Sequence, residues 1–482
     1  MATFGIRWCA SLLLLVSGCS IDNGTTSSQG DEVSAVQAVD GTRQYGDILT
    51  ELQNLQNVVE VKEEVSRYPN TRAFVLQFRQ PVDHYRPRGA TFTERVRLLF
   101  RSYDAPMVIL TSGYGLPPLY LSEPAGMLNA NQLMLEHRFF GPSTPDSVDW
   151  KKLDIFQAAS DEHRIVEALR PLFKKKWLST GASKGGMTAV YHRFFYPRDV
   201  DVTVPYVAPN SFGPTDERYA SFLQNVGSAE CRDKVRAVQT EVLRRRPEFE
   251  ARLAEEAAAR GDGYEHLGIH KGLDWTVSDL AFTFWQYMGR PACPLVPSAG
   301  ATSDELYGFL DRVGMIGAYG DASLDQVAAY YYQGATELGG PECDTAHLGP
   351  LLTPGFRCDY AELAPLGVHL RFRYSSMPAV AAWVHFAAER MLFVYGEEDP
   401  WSSGAFTVRE KNDSYRYVVP QGTHGAHIGL LPPEQAREAY THIFQWMDVP
   451  IPEGIAPSDF SAFEAESMID QPPRRRGHRP SR

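Results

Sequence analysis

A serine in a glycine-rich turn, a later carboxylate and a still later histidine supply the three residue types that nucleophilic acyl transfer uses. The serine is Ser183, within Trp177-Leu178-Ser179-Thr180-Gly181-Ala182-Ser183-Lys184-Gly185-Gly186. An apolar strand-like run leads in and a helical run, Met187 to Phe195, leads out. That spacing predicts the sharp strand-to-helix elbow that lifts a serine hydroxyl out of a sheet. Gly181, Gly185 and Gly186 leave room for the turn and for close approach of a substrate.

A serine hydroxyl attacks a carbonyl only when a base takes its proton and an acid orients that base. The acid candidates are Glu397, Glu398 and Asp399, in the loop after the strand-like run Met391 to Tyr395. The carboxyl ends of strands are where parallel sheets carry their reactive groups. The base candidates are His424 and His427, in Gln421-Gly422-Thr423-His424-Gly425-Ala426-His427. His424 is favoured because it lies closer to the strand end and has glycines on both sides of its turn. Oxyanion donors are expected from the backbone N–H of Lys184, which follows the nucleophile, and of Tyr114 in Thr111-Ser112-Gly113-Tyr114-Gly115. Glu136-His137-Arg138-Phe139-Phe140-Gly141-Pro142-Ser143 sets three ionisable groups beside two aromatics at a strand end. Such a cluster is either a buried ion-pair network or a substrate site.

The elements that must hold these residues can be read from periodicity. Strand-like runs cover residues 73–78, 96–100, 106–110, 132–135, 176–180 and 203–207, with a helical pattern from Ile155 to Leu172 among them. Alternation of this kind predicts an α/β fold with a largely parallel sheet covered on both faces. From 215 to 375 the pattern turns helical, including Lys234 to Arg260 with its Arg, Glu and Ala. Strand rhythm resumes at 391–395 and 415–419, and an amphipathic helix spans Glu434 to Met447. The chain therefore reads as an α/β-hydrolase sheet with an inserted helical cap: core over 47–214, cap over 215–375, core again over 376–452.

Composition narrows the setting. The 482 residues carry a net charge of −12, which disfavours general nucleic-acid binding. Arg7 and the apolar run Leu12 to Val16 form a segment too short for a membrane span and shaped like an export signal over 1–19. Val16-Ser17-Gly18-Cys19 resembles a lipobox, so Cys19 is expected to carry lipid and to fix the protein to a membrane surface of the bacterial envelope. Residues 20–46 read as a flexible tether and 453–482, with Arg474-Arg475-Arg476, as a disordered basic tail. Besides Cys9 and Cys19, four cysteines suit an exported chain; they allow three connectivities, of which proximity in sequence favours Cys231 with Cys293 and Cys343 with Cys358. No nucleotide, flavin or metal motif is present, and no cofactor is expected.

With these residues in place, the chain resembles the secreted bacterial tripeptidyl aminopeptidases, including prolyl tri- and tetrapeptidyl aminopeptidases. The resemblance covers about residues 45–450 and is carried by Lys176 to Thr188, Asp199-Val200-Asp201, Tyr206 to Pro209, Tyr395 to Trp401 and Gly422 to Ala426. The Glu136 to Gly141 run is similar to one in lysosomal prolyl carboxypeptidase and its dipeptidyl peptidase relatives. The resemblance implies Ser183 as nucleophile, Asp399 (the carboxylate before Pro400-Trp401) as acid and His424 as base. It implies peptide substrates and a cap that admits only short or unstructured chains. A protonated substrate N-terminus needs a carboxylate, since an unpartnered buried ammonium is costly, and Glu136 is the expected one. Two other functions suit the same fold: a lipase or carboxylesterase, and a non-catalytic surface lipoprotein.

Overall fold

The computed structural model describes residues 46–298 and 300–451. The export signal, Cys19, the basic tail and all of the tether except Gly46 lie outside them.

Nine strands form one sheet: β1 (Val58–Glu64), β2 (Arg72–Pro81), β3 (Thr91–Phe100), β4 (Met107–Thr111), β5 (Asn131–Leu135), β6 (Trp177–Ala182), β7 (Val202–Tyr206), β8 (Leu392–Gly396) and β9 (Tyr415–Val419). Their order is β1-β2-β3-β5-β4-β6-β7-β8-β9. Every pairing from β5 through to β9 is parallel. The β4–β8 strands are buried along their whole length, which is why they read as continuous runs rather than alternating ones.

The sheet is less parallel than the sequence suggests, because β1–β2, β2–β3 and β3–β5 are antiparallel. β1 escapes the sequence reading: its Val-Val-Glu-Val-Lys-Glu-Glu is half charged, as suits an edge strand that keeps one side in water.

Helices cover both faces. Ile165, Val166 and Leu169 of helix Ile155–Leu169 pack with Phe74, Leu76 and Val96. On the opposite face Tyr440, Ile443 and Phe444 of helix Pro433–Trp446 pack with Val202, Val204, Leu392 and Val394. Between β7 and β8 the named elements are all helical, from Glu217–Leu223 to Ser376–Phe386. They enclose a core of their own, drawn from residues 219 to 364 and including Trp275, Trp285, Leu306 and Phe309.

The helical stretch Lys234 to Arg260 lies in two helices, Ala229–Arg244 and Arg246–Ala259. Pro247, in the first turn of the second, lacks an N–H and would clash with the preceding turn, so the chain bends at Arg245. Both cysteine pairs expected from proximity are disulfides, Cys231–Cys293 and Cys343–Cys358. No helix among the described residues is long and apolar enough to cross a membrane.

Candidate active site

Ser183 is the residue between β6 and helix Lys184–Phe195, at φ 55° and ψ −125°. A non-glycine residue in that region is strained, and the surroundings hold it there. Its N–H donates to Tyr206 O (2.9 Å), tying the turn to β7. A methyl group on Gly181 would come within 2.5 Å of the Gly185 backbone, and one on Gly186 within 2.8 Å of Ala208 Cβ. The glycines are therefore required by packing as well as by the turn. The Thr111 hydroxyl donates to Gly185 O (2.6 Å), which fastens β4 to the first turn of the helix.

Asp399 and His424 follow β8 and β9, the neighbouring strands further along the sheet. His424 Nδ1 lies 2.7 Å from Asp399 Oδ2, and both side chains are buried. With Nδ1–H given to the carboxylate, Nε2 is left as an acceptor. Among the described residues Nε2 has no hydrogen-bond partner although it is buried. Tyr287 and Trp401 pack against the His424 ring (centroids 6.2 and 6.3 Å), and both line the cavity of about 130 Å³ that contains Ser183.

The rival residues have other partners. Glu398 is bound by Arg290 through Nε (2.7 Å), Nη2 (2.6 Å) and the backbone N–H (2.9 Å), a tie between the helical segment and the β8 loop. Glu397 accepts from Gln421 N–H (2.7 Å) at the surface. His427 faces a backbone carbonyl, Gly425 O, at 3.0 Å.

The loop after β4 is drawn to the elbow by Lys184. Its Nζ, fully buried, donates to Gly113 O (2.6 Å) and lies over the rings of Tyr114 and Phe140. Gly113 touches Lys184 so closely that a Cβ there would lie 2.5 Å from that of Lys184. Tyr114 N–H donates to Ser112 Oγ (3.0 Å), so an oxyanion at this position would compete with a hydroxyl.

The Glu136 to Ser143 run is an ion-pair network. Arg138 is buried and grips Asp161 through Nε (2.5 Å) and Nη2 (2.8 Å), with carbonyls of Pro81, Val82 and Lys152 taking its other donors. His137 joins Arg138 O to Tyr191 OH, and burial together with the nearby Lys184 charge pushes its pKa well down.

The sequence expectation for Glu136 is an ammonium site, but its carboxylate has another cation. Arg95 binds it with two hydrogen bonds (2.8 and 2.6 Å), and Leu116 N–H and the Ser143 hydroxyl add two more. An ammonium would have to displace a bidentate guanidinium, which is the stronger partner.

Two groups at the site carry no sequence motif. Glu123 is buried where it accepts from Tyr206 OH, Tyr440 OH, Ile428 N–H and Gly429 N–H, so it fixes the loop that carries His424. Asp279 lies in the helical segment, in a cavity wall shared with Tyr319, Tyr331 and Tyr360.

The PS-10 peptidase S37 family model matches residues 45–467. The chain belongs to that family. It is therefore a peptidase of the serine hydrolase class. It is 39% identical over 437 residues to the prolyl tri/tetrapeptidyl aminopeptidase of Streptomyces mobaraensis, covering 89% of each chain. Among solved structures, it matches proline iminopeptidase from Mycobacterium smegmatis at 13% identity and a TM-score of 0.38, over 80% of this chain and 99% of that one. It also matches homoserine O-acetyltransferase from Staphylococcus aureus at 12% identity and a TM-score of 0.36, over 81% and 95%. The α/β-hydrolase character of this peptidase rests on its strand order and elbow.

Proposed function

We propose that this S37 peptidase is an aminopeptidase that releases short peptides, tripeptides foremost, from free N-termini through an acyl-enzyme on Ser183. The hydrogen bond of 2.7 Å between His424 Nδ1 and Asp399 carries this reading, because it leaves Nε2 free to accept a proton on a ring that packs against Tyr287 and Trp401 of the Ser183 cavity. Ser183 Oγ attacks the scissile carbonyl carbon and its proton passes to His424 Nε2. The imidazolium, stabilised by Asp399, then gives that proton to the departing amine as the C–N bond breaks. Water, deprotonated by the same nitrogen, hydrolyses the ester and returns Ser183. Lys184 N–H and Tyr114 N–H are the oxyanion donors in this scheme, with Tyr114 turning from Ser112 Oγ to the substrate as charge develops.

The release of peptides from the N-terminus is supported by the Streptomyces relative, whose name describes that activity. Two disulfides suit an oxidising compartment outside the cytoplasm. Anchoring through lipid on Cys19 belongs to the same proposal and is tested by metabolic labelling with a fatty acid, which a Cys19→Ala chain should not take up.

The enzymatic test uses a free-N-terminus tripeptide p-nitroanilide, its N-acetyl form and p-nitrophenyl butyrate, on the chain lacking residues 1–19 and its Ser183→Ala variant. Serine-dependent cleavage of the free peptide, much faster than of the acetylated one, is expected. Cleavage of the ester alone would make the protein an esterase, and no serine-dependent turnover at all would leave a binding protein.

A further inference from the structure

The Ser183 cavity continues into a smaller one of about 70 Å³ deep in the helical segment. Gln286, Tyr331, Tyr360 and Trp401 line both. In the other direction Tyr114 and Val327 are shared with a cavity of about 750 Å³ that includes Arg95 and Glu136. Ser183 thus stands between a large space and a narrow one. The disulfide Cys343–Cys358 forms part of the wall of the narrow one.

Asp279 lines this narrow space. Its carboxylate is held by the hydroxyls of Thr283 (2.9 Å) and Tyr319. Among the described residues no lysine, arginine or histidine pairs with it. Desolvation pushes its pKa up to about 6, partly offset by those two hydroxyls. An anion so placed lacks a cation that the pocket could readily admit. Around it, Ser278 Oγ, Trp275 Nε1 and Trp401 Nε1 are buried polar atoms without a hydrogen-bond partner among the described residues. Such atoms are uncommon in a finished core and mark a place where a ligand can complete the bonding. The tyrosine faces nearby suit a cation as well. Glu342 is a second carboxylate on the wall, but among the described residues no hydrogen bond fixes its side chain.

We infer that Asp279 receives the protonated N-terminus of the peptide substrate in the smaller cavity, with the scissile bond over Ser183 and the rest of the peptide in the larger cavity. The inference rests on the aminopeptidase reading and replaces Glu136, already neutralised by Arg95, as the ammonium partner. It also gives a physical reason for release from an end, since only a free N-terminus brings an ammonium to that carboxylate.

The experiment compares Asp279→Asn, Glu342→Gln and Glu136→Gln with wild type on Ala-Ala-Pro p-nitroanilide, its N-acetyl form and p-nitrophenyl butyrate. Asp279→Asn should lose on the order of 100-fold in kcat/KM on the free peptide, the usual scale for removing one partner of a buried charge pair. It should keep butyrate hydrolysis within about threefold, which separates lost recognition from lost folding or lost chemistry. As a second readout, inhibition by Ala-Ala-Pro and by its analogue lacking the amino group should differ strongly in wild type and converge in Asp279→Asn. The same loss in Glu342→Gln or Glu136→Gln, with Asp279→Asn unaffected, would overturn the assignment while leaving the aminopeptidase reading intact. A wild-type enzyme that cleaves free and acetylated peptides equally would overturn both.

Discussion

At the scale of single residues, the arrangement separates groups that are chemically alike. Three adjacent carboxylates, Glu397, Glu398 and Asp399, have a surface backbone partner, an arginine and a histidine respectively. Asp399→Asn should therefore lower kcat by about 10⁴ with little change in KM, because the histidine loses the partner that fixes its tautomer. Glu398→Gln should spare the chemistry, and steady-state kinetics on the two variants would settle the difference. His424→Ala should fall to the level of Ser183→Ala, while His427→Ala, removing only a ring beside Gly425 O, should keep most activity.

Asp279 makes a second prediction at this scale. Its folded-state pKa, about 6, lies above its ordinary 3.8, so the folded chain holds the proton more tightly than the unfolded one. The cost of ionising it is absent below about pH 4 and complete above about pH 6, where two units amount to about 3 kcal/mol. Asp279→Asn should raise stability at pH 8 by up to that amount and change nothing at pH 4, read by urea unfolding at both. A stabilising change that lowers activity on the free peptide is what a charge kept for a substrate should give.

At the scale of elements, the site depends on loops fastened to a rigid sheet. Gly396 at the end of β8 lies so close to the Gly422 and Thr423 carbonyls that a Cβ would come within 2.5 Å of both. That contact sets the base loop against the acid loop. Glu123 holds the same loop from the other side with four accepted hydrogen bonds. Glu123→Ala should cost about 3 kcal/mol or more, since two N–H groups and two phenols lose their acceptor in a buried place. It should also lower turnover of peptide and ester alike, which chemical denaturation and initial rates would together reveal. The elbow, the acid loop and the base loop were legible in the sequence because glycine spacing and strand ends leave local marks. Glu123 was not, since its four partners come from positions 206, 428, 429 and 440.

At the scale of the whole molecule, a second core built from residues 219 to 364 stands over the carboxyl ends of the parallel strands and encloses the chamber. Its loops are closed by disulfides spanning 62 and 15 residues. Loop-closure entropy gives such bridges about 4 and about 3 kcal/mol. The shorter one walls the Asp279 cavity. The double variant Cys343→Ser, Cys358→Ser should lower the melting temperature. It should also reduce the preference for free over acetylated peptides more than it reduces ester hydrolysis, because the wall loosens while Ser183 keeps its sheet. Equal losses on all substrates would assign the bridge to stability alone.

The sequence by itself determined the glycine-rich strand-to-helix turn at Ser183, the loops that carry Asp399 and His424 and the α/β class. Each of these is set by neighbours in the chain: a glycine beside a serine, a loop just past a strand, a period of two or of 3.6. Tertiary structure decided which carboxylates are neutralised and which is left open. Glu136 and Asp279 are each a lone acid in an aromatic-rich stretch when read as letters. One has Arg95 from β3 across the sheet, and the other has only hydroxyls. The charge a buried carboxylate keeps for a substrate depends on which cation the fold brings to it, and distance along the chain does not carry that information.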